Sequence, residues 1–341
     1  MTATVAPKRI PVTIVTGFLG AGKTSLLNHI LTAPHGLRIA VLVNDFGAVN
    51  IDADLISNRD GEVVSLENGC ICCSLSDGLL AAASRILRLP QPPDRIVIET
   101  SGVSDPMEVA RTFSDPDLQI YAPLDGIVTV VDAEYGPSLD GAEAALARTQ
   151  LEASDIVLLN KIDLIGADAL SVAYDWIKSI SPRVKTIETV RAAAPVPLLM
   201  DIGGDPLSLL AESAGRSHDH AHPHGAPPFD TALFESDDPI PYARLRAALE
   251  AMPRSVFRAK GILYVAEKPD HRLILQATGR RAEITVGELW GDAPRGNRLI
   301  VIGKPGEVDA DGLKLLLGGH GPVSEAVSIG ETHVYEQTVV Q

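Results

Sequence analysis

The sequence is short of positive charge, of cysteine and of long apolar runs, and each shortage excludes something. Over 341 residues, 29 Lys and Arg stand against 44 Asp and Glu, a formal net charge of −15. Such an acidic excess argues against a protein that binds nucleic acid by neutralising phosphates. It equally disfavours polybasic attachment to anionic lipid. No run approaches the roughly 18 apolar residues of a membrane span. Three cysteines cannot build the disulfide framework of a small secreted domain. Lys8 and Arg9 before Ile10–Val15 look briefly like a signal peptide, but Gly17, Gly20, Gly22 and Lys23 break the apolar segment and no small-residue cleavage site follows. The expectation is a soluble, cytoplasmic chain with neither nucleic acid nor membrane as a partner.

What is present is ordinary globular composition, 45% hydrophobic and 21% charged, in a chain long enough for one large and one smaller domain. Residues 1–212 alternate apolar, β-rich runs with helical stretches. Strands are expected at Pro11–Thr16, Arg38–Asn44, Glu62–Leu66, Arg95–Thr100, Gly126–Asp132, Asp155–Asn160 and Val184–Val190. Between them lie helices at Lys23–Leu31, Leu75–Leu89, Glu143–Glu152 and Ala167–Ile180. Ile127-Val128-Thr129-Val130-Val131 and Ile156-Val157-Leu158-Leu159 are near-continuous apolar runs, as in parallel strands covered on both faces. The pattern predicts a doubly wound, mostly parallel α/β domain that binds ligands at the carboxyl ends of its strands. Residues 213–228 are rich in His, Gly, Pro and Ala without periodicity and read as a linker. Residues 229–341 carry more strands than helices and predict a smaller α+β domain.

Gly17-Phe18-Leu19-Gly20-Ala21-Gly22-Lys23-Thr24 fits the phosphate-binding loop G-x-x-x-x-G-K-[ST], with a strand before it and a helix after it. Gly17, Gly20 and Gly22 let backbone N–H groups wrap phosphates. Lys23 would reach the β- and γ-phosphates, and the Thr24 hydroxyl would take a Mg²⁺ coordination site. Ala21 and Ser25 belong to the same nucleotide-contacting stretch. Asn160-Lys161-Ile162-Asp163 follows a strand. An Asp163 carboxylate there accepts from guanine N1–H and its 2-amino group, which adenine does not offer, and so selects GTP over ATP; an ordinary turn with Asp163 as a cap is the structural alternative. Glu99-Thr100-Ser101-Gly102 ends another strand. Glu99 stands where a second Mg²⁺-associated carboxylate is expected, and Gly102 would let the backbone approach the γ-phosphate. Asn44-Asp45-Phe46-Gly47 is a candidate switch, in which Asp45 would hold the attacking water or Mg²⁺. Lys23, Asp45 and Glu99 are thus the catalytic candidates.

All three cysteines fall in Cys70-Ile71-Cys72-Cys73. Neighbouring thiols pair only with strain, whereas thiolates suit Zn²⁺, Cu⁺ or, less often, Co²⁺; a buried, inert cluster is the alternative. Four of the nine histidines, His218, His220, His222 and His224, lie in one short tract. Exposed imidazoles there bind divalent metals with little selectivity, or the tract is merely solvated. The remaining His29, His35, His271, His320 and His333 read as surface or capping residues.

In this order, the motifs resemble those of the CobW-like GTPases, relatives of the urease and hydrogenase maturation GTPases. The matching stretches are Gly17–Thr24, Asn44–Gly47, Glu67–Cys73, Glu99–Gly102, Val131-Asp132, Asn160–Asp163 and the His tract, with Phe257–Gly261 similar to the opening of the family's C-terminal domain. The resemblance implies GTP hydrolysis coupled to delivery of a transition metal, most often Zn²⁺ and in some members Co²⁺ for cobalamin synthesis, to the apo-form of a client metalloprotein. It places Cys70, Cys72 and Cys73 in the family's metal motif. Where the family often reads Asn-Glu-Phe-Gly-Glu, this chain has Asn44-Asp45-Phe46-Gly47-Ala48, and Ala48 cannot supply the second acid. A metal buffer whose affinity is set by GTP is the alternative from another class, and a homodimer is left open.

Overall fold

The computed structural model describes residues 9–44, 63–65, 75–200, 229–253, 255–279, 281–318 and 333–337. The chain divides into two compact units, Met1–Ile202 and Gly203–Gln341. The first runs β1 (Val12–Thr16), α1 (Lys23–Thr32), β2 (Ile39–Asn44), β3 (Val63–Ser65), α2 (Leu75–Leu87), β4 (Arg95–Thr100), α3 (Pro106–Thr112), α4 (Pro116–Gln119) and β5 (Leu124–Asp132). It continues through α5 (Gly141–Ala153), β6 (Ile156–Asn160), α6 (Ala167–Ile180), β7 (Lys185–Thr189) and α7 (Val196–Leu199). The strands form one seven-stranded sheet in the order β3-β2-β4-β1-β5-β6-β7, and every pairing is parallel.

Strand residues alternate between two cores, as a period of two requires. Val15, Val43, Val97, Val130 and Leu158 pack with Leu26, Leu27 and Ile30 of α1 and Leu199 of α7. Ile14, Leu42, Ile96, Ile98 and Ile127 face the other way, against Leu79 and Ile86 of α2 and Val109 of α3. Val131, Val157 and Leu159 complete that face with Leu151 of α5 and Ile177 of α6. The apolar runs in the sequence are therefore strands covered on both sides, as expected.

The short helices α3, α4 and α7 escape a periodicity reading because they are too short to display one. Their start signals are nonetheless local. Asp105 caps α3 by accepting from Met107 N at 2.8 Å, with Pro106 at the first helical position, and Asp115 and Pro116 repeat the arrangement at α4. Helix α1 stops at Thr32 because Ala33, which precedes Pro34, is extended.

In the second unit, β8 (Asp230–Ser236), α8 (Tyr242–Glu250), β9 (Val256–Leu263), β10 (His271–Thr278), β11 (Arg281–Leu289), β12 (Asn297–Gly303), α9 (Ala310–Gly318) and β13 (His333–Gln337) follow one another. They build a six-stranded sheet ordered β13-β11-β10-β9-β12-β8. Its pairings are antiparallel except β11 with β13. One face carries both helices: Leu245 and Leu249 of α8 and Leu313 and Leu317 of α9 pack on Phe234, Ala259, Leu263, Leu275 and Val301. The edge strand β13 extends the sheet beyond β11. No helix among the described residues is long and apolar enough to cross a membrane.

Phe113, just beyond α3, is fully buried against the sheet. Phe113→Ala removes a whole ring from a packed core, so the first unit should lose about 3–5 kcal/mol. Urea denaturation of the full-length chain measures this, and a midpoint matching the wild type would contradict the packing described.

Candidate functional site

Parallel strands bring their carboxyl ends to one edge, where the predicted phosphate loop, Glu99–Gly102 and Asn160–Asp163 meet, with Asn44 beside them. In register, Val15 of β1 lies beside Glu99 of β4, Asn44 of β2 beside Thr100, Asp132 of β5 beside Asn160 of β6, and Asn160 beside Thr189 of β7. Between β1 and α1 the predicted phosphate loop turns through Gly17 (φ +139°), Gly20 (φ +73°) and Gly22 (φ +113°). These angles favour glycine. Space demands it as well: a Cβ on Gly17 would lie 2.1 Å from the Val130 carbonyl oxygen, and one on Gly22 would lie 2.6 Å from Asn160 Nδ2. Ala21 is buried among the α1-side core residues, whereas Ser25 is exposed on α1.

Lys23 begins α1 and is almost entirely buried. Its Nζ donates to the carbonyls of Gly17 (3.0 Å) and Phe18 (3.3 Å), so the ammonium is held inside the turn of its own loop. Beside it, the Thr24 hydroxyl donates to Glu99 Oε1 at 3.3 Å. Glu99 is 3% exposed. A hydroxyl and a carboxylate from distant segments thus present adjacent oxygens, the donor type a hard cation such as Mg²⁺ takes. The Thr16 and Thr100 hydroxyls bond at 2.9 Å and tie the carboxyl ends of β1 and β4 together, one residue beyond Glu99.

Asn160, expected to contact nucleotide, spends its carboxamide on the protein. Nδ2 donates to the Ala21 carbonyl at 2.9 Å, and Oδ1 accepts from Ala192 N (2.7 Å) and the Thr189 hydroxyl (3.2 Å). Lys161 follows at φ +64°, a left-handed conformation uncommon for a side-chain-bearing residue. Its Nζ donates to Asp132 Oδ2 at 2.6 Å. Asp132 Oδ1 meanwhile accepts from the amides of Glu134 and Tyr135, each at 3.0 Å. Burial by itself pushes the Asp132 carboxyl up, but the Lys161 hydrogen bond and charge and the two amides outweigh it and hold it below its ordinary value. Asp163 lies in the 3₁₀ turn Ile162–Leu164 and is exposed.

Two contributors were missed in the sequence reading. Asp132 enters there only through the family resemblance, and the loop after β7 enters not at all. In that loop Arg191 and Ala192 are both left-handed (φ +53° and +55°), and His29 of α1 donates from Nε2 to the Ala194 carbonyl at 2.8 Å. Consecutive left-handed residues without glycine carry no composition signal. His35 is a capping residue as expected: its ring donates to the Ile30 carbonyl and accepts from Leu37 N. Asp45, Cys70, Cys72, Cys73, His218, His220, His222 and His224 lie outside the described residues.

Truncating the Asn160 side chain by Asn160→Ala leaves the Ala21 carbonyl and the Ala192 amide without their partner. Each unsatisfied buried group costs about 1–3 kcal/mol, so thermal and urea stability of the first unit should both fall. Unchanged stability would show that the carboxamide does not hold these loops.

With this geometry in place, comparison with known proteins is direct. A family model described as CobW/HypB/UreG, nucleotide-binding domain, matches residues 11–188. A second, described as cobalamin synthesis protein cobW C-terminal domain, matches residues 229–319. Among relatives, a protein named zinc chaperone CobW from Sinorhizobium sp. is 32% identical, covering 89% of this chain and 95% of its own. One of the same name from Pseudomonas aeruginosa is 32% identical over 87% and 88%, and zinc chaperone YjiA of Escherichia coli is 32% identical over 86% and 94%. A parallel sheet with a phosphate-loop turn, followed by an antiparallel-sheet unit, and matched along nearly its whole length, makes the chain a member of the CobW/HypB/UreG family.

Proposed function

We propose that the chain is a GTP-hydrolysing metallochaperone that carries a transition metal, zinc before others, to the apo-form of a client metalloprotein in the cytoplasm. The observation that carries the nucleotide half is the Thr24–Glu99 contact beside the buried Lys23 ammonium. In this reading Lys23 exchanges its loop carbonyls for the β- and γ-phosphates, and backbone amides of Gly17–Thr24 wrap them. Thr24 and Glu99 hold Mg²⁺, which supplies neutralisation of charge on the transferring phosphoryl group. Asp45 orients the attacking water and Gly102 brings backbone to the γ-phosphate. Asp163, exposed at the rim, accepts from guanine, and Asp132 keeps the Lys161 stem in place beside it.

The metal half rests on Cys70-Ile71-Cys72-Cys73, which lies in sequence between the switch segment and Glu99, and on relatives that are named zinc chaperones. Thiolates of Cys70, Cys72 and Cys73 hold the cargo, and His218, His220, His222 and His224 act as auxiliary, weaker ligands. Cobalt is the second reading, favoured by the cobalamin-synthesis description of the matching C-terminal model.

Metal and GTP should be thermodynamically coupled, because nucleotide that orders the thiolates pre-organises the metal site. Metal titrations of the apo, GDP and GTP-analogue forms should differ, with coupling of about 1–3 kcal/mol, and metal must raise GTP affinity by the same factor. Identical affinities in all three forms would exclude the switch and leave a metal buffer. Competition between Zn²⁺ and Co²⁺ in the GTP-analogue form ranks the cargo.

Asp163→Asn should weaken GTP binding and admit xanthosine triphosphate, whose extra carbonyl pairs with an amide donor. Calorimetry giving the unmutated protein equal affinity for ATP and GTP would remove Asp163 from base recognition.

A further inference from the structure

Gln150 sits on α5 and is 1% exposed. A buried carboxamide needs partners, and this one finds them outside its own helix. Its Nε2 donates to the carbonyls of Gly102 (3.2 Å) and Ser104 (3.3 Å). Both acceptors are buried residues in the connection between β4, which ends at Thr100, and α3, which begins at Pro106. Within that connection Ser104 N closes a turn on the Ser101 carbonyl at 3.1 Å. A single side-chain nitrogen therefore fixes two peptide planes of the turn.

The same turn also lies close against the phosphate loop. A Cβ on Gly102 would lie 2.6 Å from Leu19 Cδ2 and 2.9 Å from Leu19 N. Gly102 is thus gripped between Leu19 and Gln150. The grip has a rigid base, since the main-chain carbonyl of Gln150 accepts from the hydroxyls of Ser154 (2.7 Å) and Thr129 (3.3 Å), which pins α5 to β5. The Ser154 and Thr129 hydroxyls also lie side by side, where Thr129 can donate to Ser154 in place of the Gln150 carbonyl.

We propose that Gln150 is a positioning residue that sets the turn Ser101–Ser104 so that the site distinguishes a nucleoside triphosphate from a diphosphate. This rests on the reading above in which Gly102 meets the γ-phosphate. Gln150 touches neither nucleotide nor metal; it acts by fixing where the Gly102 backbone stands relative to Leu19. The side chain suits the task. Glutamate would aim negative charge at two carbonyls, and an apolar residue would leave both without their donor.

The test titrates GDP and a non-hydrolysable GTP analogue, in Mg²⁺ buffer, into the full-length wild type, Gln150→Met and Gln150→Glu. In Gln150→Met the analogue should bind about tenfold more weakly, as expected for loss of about 1.4 kcal/mol of placement, while GDP affinity stays within about twofold. A protonated carboxyl introduced by Gln150→Glu has one O–H to donate. The triphosphate preference of that variant should therefore recover as pH falls, whereas that of Gln150→Met should not. Equal weakening of both nucleotides, or a wild-type ratio in both variants, would make Gln150 a purely structural residue and overturn the proposal alone. A wild type that binds neither nucleotide would overturn the underlying reading first. If a variant does not fold, amide hydrogen exchange of the wild type decides. Slower exchange at Gly102–Ser104 with the analogue than with GDP supports the proposal, and equal rates overturn it.

Discussion

The carboxamide of Asn160 joins two loops to the end of β6 at the nucleotide edge of the sheet. Its nitrogen holds the phosphate loop through the Ala21 carbonyl, and its oxygen holds the loop after β7 through Ala192 N and the Thr189 hydroxyl. All three bonds lie in the interior, with Asn160 2% exposed, so the loss of any one strands a desolvated polar group. The same side chain forbids a Cβ at Gly22, the residue on which α1 begins. The start of α1, the placement of Lys23 and the left-handed turn at Arg191-Ala192 therefore depend on one amide at the end of β6. Left-handed non-glycine residues cost of order 1–3 kcal/mol each. That cost is offset here by burial of Ala192 in the core and by its bond to Asn160.

The charged groups along this edge are arranged by what each must remain free to do. Asp132 and Lys161 satisfy each other, and the lowered pKa of Asp132 keeps its carboxylate ionised into acid below the ordinary carboxylate range. Its contribution is present above the unfolded carboxyl pKa and is lost only as pH falls through the lower, folded value. With Lys161 so occupied, Asp163 two residues on is left exposed at the rim, without a side-chain bond to Lys161 among the described residues.

Much of this was legible in the sequence, for physical reasons that differ by element. Strands β1, β5 and β6 announce themselves because a parallel strand buried on both faces has no polar side to interrupt its apolar run. The phosphate loop is legible because its glycines answer to steric limits that no other residue meets, as at Gly17 against Val130. Helices α3 and α4 are too short for periodicity, and only their Asp-Pro starts mark them. Strand β13 pairs with β11 across a long stretch of intervening chain, a parallel pairing that no local pattern encodes. The partners of Asn160, Lys161 and Gln150 are likewise long-range: sequence names the residue, and only the fold reveals that Asn160 serves backbone and Gln150 a distant turn.

Lys23 shows how such a site is prepared before any ligand arrives. Lys23, 9% exposed as a residue, is largely withdrawn from water, and the Gly17 and Phe18 carbonyls replace part of its ammonium's hydration. In the reading proposed above, a bound phosphate would exchange these neutral acceptors for charged ones, adding ion–ion attraction in a site that holds little water. The desolvation of the cation is not charged again to the ligand, so more of the interaction appears as affinity. The freed carbonyls are the remaining cost, and the loop can relax to meet it only within limits set by Val130 on one side and Leu19 against Gly102 on the other. The surrounding strands and the loop's own carbonyls together hold the lysine head group in place.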